Sequence, residues 1–210
     1  MANKIEKMMA KKDINTEQKI VKAAEKVFIE QGMSGARMQE IANVAGINKA
    51  LLHYYYRSKE KLFDMVFRTA FKAFIPNLLE VFKGDEDFFS KIRYFVAKYM
   101  NVLEKNPHIP GFVLHEISNR PKHLSEMMQE LNFDLSFIYD QINEEIAAGN
   151  LRAIAPEQLI INIISLCVFP IVAKPMISAI VYKGDKKAYK QMINERKTLV
   201  ADFVINSIKA

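Results

Sequence analysis

The sequence predicts an all-α protein in which a short N-terminal three-helix unit is joined to a larger helical bundle. Three observations carry this. Apolar residues recur at the i, i+3, i+4, i+7 spacing of a helix face through almost the whole chain. No alternation of strand type lasts more than a few residues. Glycine and proline number only seven each in 210 residues, too few for an all-β chain of many tight turns.

Taken in order, residues 1–15 read as a basic, flexible N-terminal arm. Lys4, Lys7, Lys11 and Lys12 either lie in a flanking minor groove or belong to a disordered tail. From Thr16, "TEQKIVKAAEKVFIEQG" sets Ile20, Ala23, Ala24, Val27 and Phe28 on one stripe, with Thr16 as N-cap and Gly32 as the stop. "MQEIANVAG" is a short helix with Ile41, Ala42 and Ala45 inward, ended by Gly46. Asn48 caps the next, "NKALLHYYY", and Ser58 caps a fourth whose apolar side is Leu62, Phe63, Val66, Phe67 and Phe71. The first domain is therefore drawn at 16–62 and the second at 63–210. In the second, helices are expected at about 85–106, 109–119, 122–148, 156–182 and 186–208, with Pro170 and Pro175 kinking or dividing the fourth.

Charge separates the two parts. Residues 1–70 hold 13 Lys and Arg against 8 Asp and Glu, and residues 71–210 hold 17 against 16. A basic head on a nearly neutral body suits polyanion binding; an ordinary solvated basic surface is the alternative. No apolar run reaches the roughly 18–20 residues of a membrane span, and "MANKIEKMMAKKD" lacks a signal-peptide core. One cysteine, Cys167, excludes an intrachain disulfide framework and suits a reducing compartment, so a cytoplasmic protein is expected.

The stretch "LLHYYYRSKEK" carries the functional signal. Short helix, Gly46 turn, short helix is the helix-turn-helix pattern, whose second helix enters the DNA major groove. Projected at 100° per residue, Tyr56 and Leu52 lie within about 40° of each other and face inward, whereas Tyr54 falls at about 160°, with Leu51 and Ala50 beside it. His53 and Tyr55 flank that outward face. Ala, Leu and Tyr facing out of a basic head fit thymine methyls and phosphate oxygens. Asn48 and Lys49 stand at the helix tip, and Lys59 in the following first turn is placed to grip a phosphate. The alternative is an aromatic helix packed in a bundle with solvated Arg57, Lys59 and Lys61 beside it.

These residues resemble the TetR family of bacterial transcription regulators. "IVKAAEKVFIEQG" and "IANVAGINKALLHYYYRSKEKLF" are similar to that family's N-terminal signature across about residues 16–70. The resemblance implies a recognition helix at 48–56, a phosphate-gripping Lys59, and further contacts around Arg37, Met38 and Gln39. It also implies a second domain that dimerises through its last two helices, here about 156–182 and 186–208, and encloses a small-molecule site. The chain departs from the family pattern at Arg37, where Thr or Ser is common, at Ala50-Leu51, where Gly-Thr is common, and at His53, where Tyr is common. These changes bear on which operator is read. The duplex operator, a homodimeric twin and a small effector are thus the expected partners, with no membrane and no cofactor.

For the effector, Met100, Phe112, His115, Met128, Phe133, Phe137, Phe169 and Met176 are candidate lining of an apolar cavity; plain core packing is the competing account of each. His108, His115 and His123 match no metal-ligand spacing. Cys167 sits in an apolar stretch and reads as an inert core thiol. No phosphate-cradling loop or nucleophile–base pairing supports an enzyme. Two functions from one build remain: a repressor released by an apolar effector, or a constitutive or architectural DNA-binding regulator without one.

Overall fold

The computed structural model describes residues 2–131 and 133–210, the side chains of residues 2–13, His108, Phe112 and His115 excepted. Every named element is helical: α1 (Ala2–Gly35), α2 (Met38–Ala45), α3 (Lys49–Tyr55), α4 (Lys59–Leu79), a 3₁₀ turn (Glu80–Lys83), α5 (Phe88–Lys105), α6 (His108–Asn119), α7 (Pro121–Glu130), α8 (Ser136–Ala147), α9 (Pro156–Val172), α10 (Lys174–Ile180) and α11 (Lys186–Ile208). The β structure among the described residues is an isolated antiparallel bridge, Leu151 to Lys209.

Two compact units form, one up to Ala73 and the other Phe74–Ala210. The division falls inside α4 and not at residue 62, because Phe63 and Phe67 bury in the first core. Phe63 meets Phe28 edge-on, ring centroids 4.7 Å apart. The expected stripe of α1 is all inside: Ile20 and Ala24 are fully buried, with Ala23, Val27 and Phe28 beside them. Thr16 does not cap α1, which runs on from Ala2. The preceding Lys, Glu, Met and Ala residues are strong helix formers with no breaker among them. The segment expected as an arm thus has a helical backbone over residues 2–15, while its Lys4, Lys7, Lys11 and Lys12 side chains lie outside the described residues. Gly32 does break the helix, at φ 69° and ψ 173°.

The second unit packs α5, α8, α9 and α11 around a core in which Ile92, Val96, Met100, Cys167 and Ala201 are fully buried. Two long helices expected here are each divided. The segment 122–148 becomes α7 and α8, the second opened by Asp134, whose carboxylate accepts from the Ser136 N–H at 2.9 Å and its hydroxyl at 2.7 Å. The segment 156–182 becomes α9 and α10, bent by 67°. Pro170 removes the helical donor to the Leu166 carbonyl, and Arg196 of α11 replaces it at 2.7 Å. The Tyr189 hydroxyl, also from α11, donates to the Pro170 carbonyl at 2.9 Å beside the corner, where Pro175 stands in the first turn of α10. Helix α11 has two apolar faces. Ile193, Val200, Val204 and Ile208 point inward, whereas Leu199 and Phe203 are exposed. Lys197 and Asp202 beside them pair with Glu104 and Arg93 of α5. Among the described residues no single helix is long and apolar enough to cross a membrane.

Candidate nucleic-acid interface

The interface is built by three short-range devices. Gly46 takes the left-handed conformation, φ 68° and ψ 32°, in which its N–H closes onto the Ala42 and Asn43 carbonyls, and Ile47 N–H follows onto Ala42 at 3.0 Å. That satisfies the end of α2 and turns the chain sharply. Asn48 then accepts from the Leu51 N–H at 2.7 Å and starts α3. At the far end Tyr56 leaves the helix in extended conformation, φ −133° and ψ 102°. Between these stops α3 is only seven residues long, and it packs on α2 with Leu52, Ile41 and Ala42 all fully buried.

The three tyrosines separate as their angular positions require. Tyr56 is 6% exposed and Tyr54 81% exposed. Tyr55 is half-buried and stands edge-on to Tyr54, centroids 5.6 Å apart. The Tyr56 hydroxyl donates to Glu17 Oε1 at 2.9 Å, tying α3 back to α1. Burial above all, and then the hydrogen bond and negative charge of Glu17, push this phenol well above its ordinary range. Asn48, Lys49, Ala50, Leu51 and His53 share the exposed surface with Tyr54.

Around this helix the remaining candidates are placed less uniformly. Arg37 is exposed at the N-cap of α2 with its side chain making no capping bond. Gln39, also exposed, donates to Asn43 Oδ1 at 3.0 Å. Lys59 is half-buried, and its ammonium donates to the Ala36 carbonyl at 3.1 Å and, at 3.4 Å, to that of Ser34. Those carbonyls follow the Gly32 break. Glu17 as the anchor of Tyr56 was not foreseen from the sequence, since a contact between residues 39 apart leaves no periodic trace.

The candidate effector residues differ widely in burial. Met100 is fully buried in the core, Phe137 packs half-buried against it, and Met128 is half-buried. Phe133, Phe169 and Met176 are 37%, 59% and 50% exposed. Phe112 and His115 lie outside the described side chains. A cleft of about 620 Å³ does open in this unit, but it is lined by others, among them Glu104, Lys174, Lys186, Tyr189, Lys190 and Ile193. Cys167 is fully buried, and that burial pushes its thiol up to about 12 in spite of the nearby Arg196 charge.

Comparison with known proteins agrees with this arrangement. Residues 20–66 match the family described as bacterial regulatory proteins, tetR family, and residues 90–204 match the tetracyclin repressor-like C-terminal domain. The HTH-type transcriptional regulator RutR of Escherichia coli (strain K12) is 30% identical over 149 residues, 69% of this chain and 68% of RutR. The negative transcriptional regulator IcaR of the biofilm operon icaADBC in Staphylococcus epidermidis is 28% identical over 129 residues, 58% of this chain and 68% of IcaR. The crystal structure of HlyIIR, a hemolysin II transcriptional regulator, superposes with a TM-score of 0.64 at 24% identity, covering 93% of this chain and 98% of HlyIIR. The chain belongs to the TetR family of DNA-binding bacterial transcription regulators.

Proposed function

We propose that this regulator is a homodimeric cytoplasmic repressor that holds a palindromic operator and is released by a small effector. Membership of a regulator family, not an enzyme class, sets the frame. The observation that carries the reading is the sorting of α3: Leu52 and Tyr56 are sealed, and Lys49, Ala50, Leu51, His53 and Tyr54 stand free on one surface. Placed in a major groove, Ala50 and Leu51 meet thymine methyls, and Tyr54 and His53 reach phosphate oxygens. Arg37 and Gln39 add contacts from the start of α2, and Lys59 adds a phosphate contact.

One helix of seven residues reads few base pairs, so a second copy is required for useful affinity. The exposed apolar residues Ile161 and Phe169 on α9 and Leu199 and Phe203 on α11 support a dimer face on those helices. Such a face is self-complementary across a two-fold axis. The effector acts only through its differential affinity for the operator-bound and released forms. That Met100 is sealed in the core while Phe169 and Met176 stand exposed favours a second reading, a constitutive regulator of the same build.

Selection of bound sequences from a random DNA pool tests the proposal. The expected product is a palindrome with half-site centres about 34–36 Å apart, or a multiple of that spacing. Enrichment of single, unpaired sites would contradict it.

A further inference from the structure

The cleft in the second unit has a composition that the DNA-binding reading does not use. Its volume, about 620 Å³, lies within the span that small ligands occupy. Ile171, Tyr189 and Ile193 form a buried apolar floor. Lys174, Lys186 and Lys190 stand exposed around it, and among the described residues none of the three is ion-paired.

The acidic groups nearby are already engaged. Glu104, the carboxylate at the cleft, is held by Lys197 at 2.9 Å. Asp185 turns its Oδ1 onto the Lys187 and Ala188 N–H groups at 2.8 and 3.0 Å, capping α11. Lys186 and Lys190 are one helical turn apart on α11, a like-charge spacing that is unfavourable unless an anion lies between them. Lys174 is poised over the Tyr189 ring, its nitrogen 5.5 Å from the centroid.

We infer that this cleft binds a small organic carboxylate, the apolar body on Ile171, Tyr189 and Ile193 and the carboxylate among the three lysines. Lysines offer point charges without the planar fork that arginine would supply, which suits a single carboxylate approached from several sides. The floor residue Tyr189 also holds the Pro170 carbonyl at the α9–α10 corner, so an occupant would press on the residue that fixes that bend. This assigns a chemical class to the effector and rests on the effector reading for its link to DNA; binding itself does not depend on it.

The test is calorimetric titration of the full chain with octanoate, benzoate and 2-naphthoate, against octan-1-ol and inorganic phosphate. At least one carboxylate binds, with octan-1-ol and phosphate weaker by about tenfold or more. Lys174→Met combined with Lys190→Met weakens that carboxylate by about tenfold or more at an unchanged thermal midpoint. Lys186→Met alone gives a smaller loss, and Lys187→Met, outside the cleft, gives none. Absence of binding by all three carboxylates at millimolar concentration overturns the inference, as does binding that survives the double substitution. Operator affinity measured in the same samples separates the two ideas. A carboxylate that binds through the lysines and leaves DNA affinity unchanged sinks the effector reading and upholds the site. Operator release by a carboxylate that persists in the double variant upholds the effector reading and overturns the site.

Discussion

Arg196 donates from Nη2 to the carbonyl oxygen of Leu166 at 2.7 Å, and Leu166 stands four residues before Pro170. Proline has no N–H, so that carbonyl lacks its helical donor and a side chain of α11 replaces it. Arg196→Met should cost roughly 1 kcal/mol in urea unfolding, the scale of a hydrogen bond lost at a half-buried acceptor. In a Pro170→Ala background most of that cost should vanish, because the alanine N–H can serve Leu166. Strict additivity in the double-mutant cycle would show that the carbonyl is not what Arg196 stabilises.

Tyr54 and Tyr56 should respond oppositely to truncation. Tyr54→Ala, at a site 81% exposed, should leave the melting midpoint in place and weaken operator binding by about tenfold or more, the loss of ~1.4 kcal/mol of contacts. Tyr56→Ala should cost about 3–5 kcal/mol of stability, as large buried side chains do. Tyr56→Phe isolates the bond to Glu17 and should cost roughly 1 kcal/mol. Equal stability losses in the two alanine variants would refute the assignment of faces.

Gly46→Ala should destabilise the first unit by roughly 1–2 kcal/mol through its backbone alone. The residue has φ +68°, and beyond its two chain neighbours nothing lies within 4 Å of where a Cβ would stand, so tertiary crowding contributes nothing. Gly46→Asn should recover part of the loss, since asparagine tolerates the left-handed region. A neutral Gly46→Ala in thermal unfolding would show that the turn can re-form another way.

Phe203→Glu, at a position 66% exposed on α11, should convert the proposed dimer to monomer by sedimentation without unfolding it. Palindromic DNA should then bind no better than one half-site. Dimer mass unchanged in that variant would move the interface away from α9 and α11.

Cys167 gives a pH dependence of known sign. Its thiol rises from an ordinary 9.0 to about 12 on folding because burial disfavours the thiolate. The native state keeps the proton that the unfolded chain releases, so stability is intact below pH 9 and is lost as pH rises toward about 12, at up to about 1.4 kcal/mol per pH unit. Buried Tyr56 and half-buried Tyr99, also raised, act in the same direction at higher pH. Iodoacetamide should label Cys167 in urea and leave the native protein unlabelled in mildly alkaline buffer. Rapid native labelling would contradict the burial.

What the sequence revealed follows the range of each signal. The capping of α3 by Asn48, the Gly46 turn and the opposed faces of Tyr54 and Tyr56 depend on residues within one or two turns, and the spacing encodes them directly. The bounds of α11 were equally legible, the expected 186–208 matching Lys186–Ile208. The division into α7 and α8 was not, because the apolar period runs through Leu131 to Ser136 and the Asp134 turn competes with the helix only weakly. The burial of the effector candidates was illegible for a different reason. Periodicity marks which side chains are apolar and cannot distinguish an inward stripe from an exposed one, so buried Met100 and exposed Phe169 looked alike. Lysines on α10 and α11 meet at a cleft only because the chain turns by 67°, which Pro170 and Pro175 announce without giving its direction.

Lys59 has a consequence for the speed and selectivity of docking. An ammonium has three protons, and the Ala36 and Ser34 carbonyls take two of them. In the proposed phosphate contact the third is the proton left for the duplex, on a long side chain that two carbonyls already hold in the free protein. The ordering cost of that contact, roughly 1.5–2 kcal/mol for a lysine, has been met during folding.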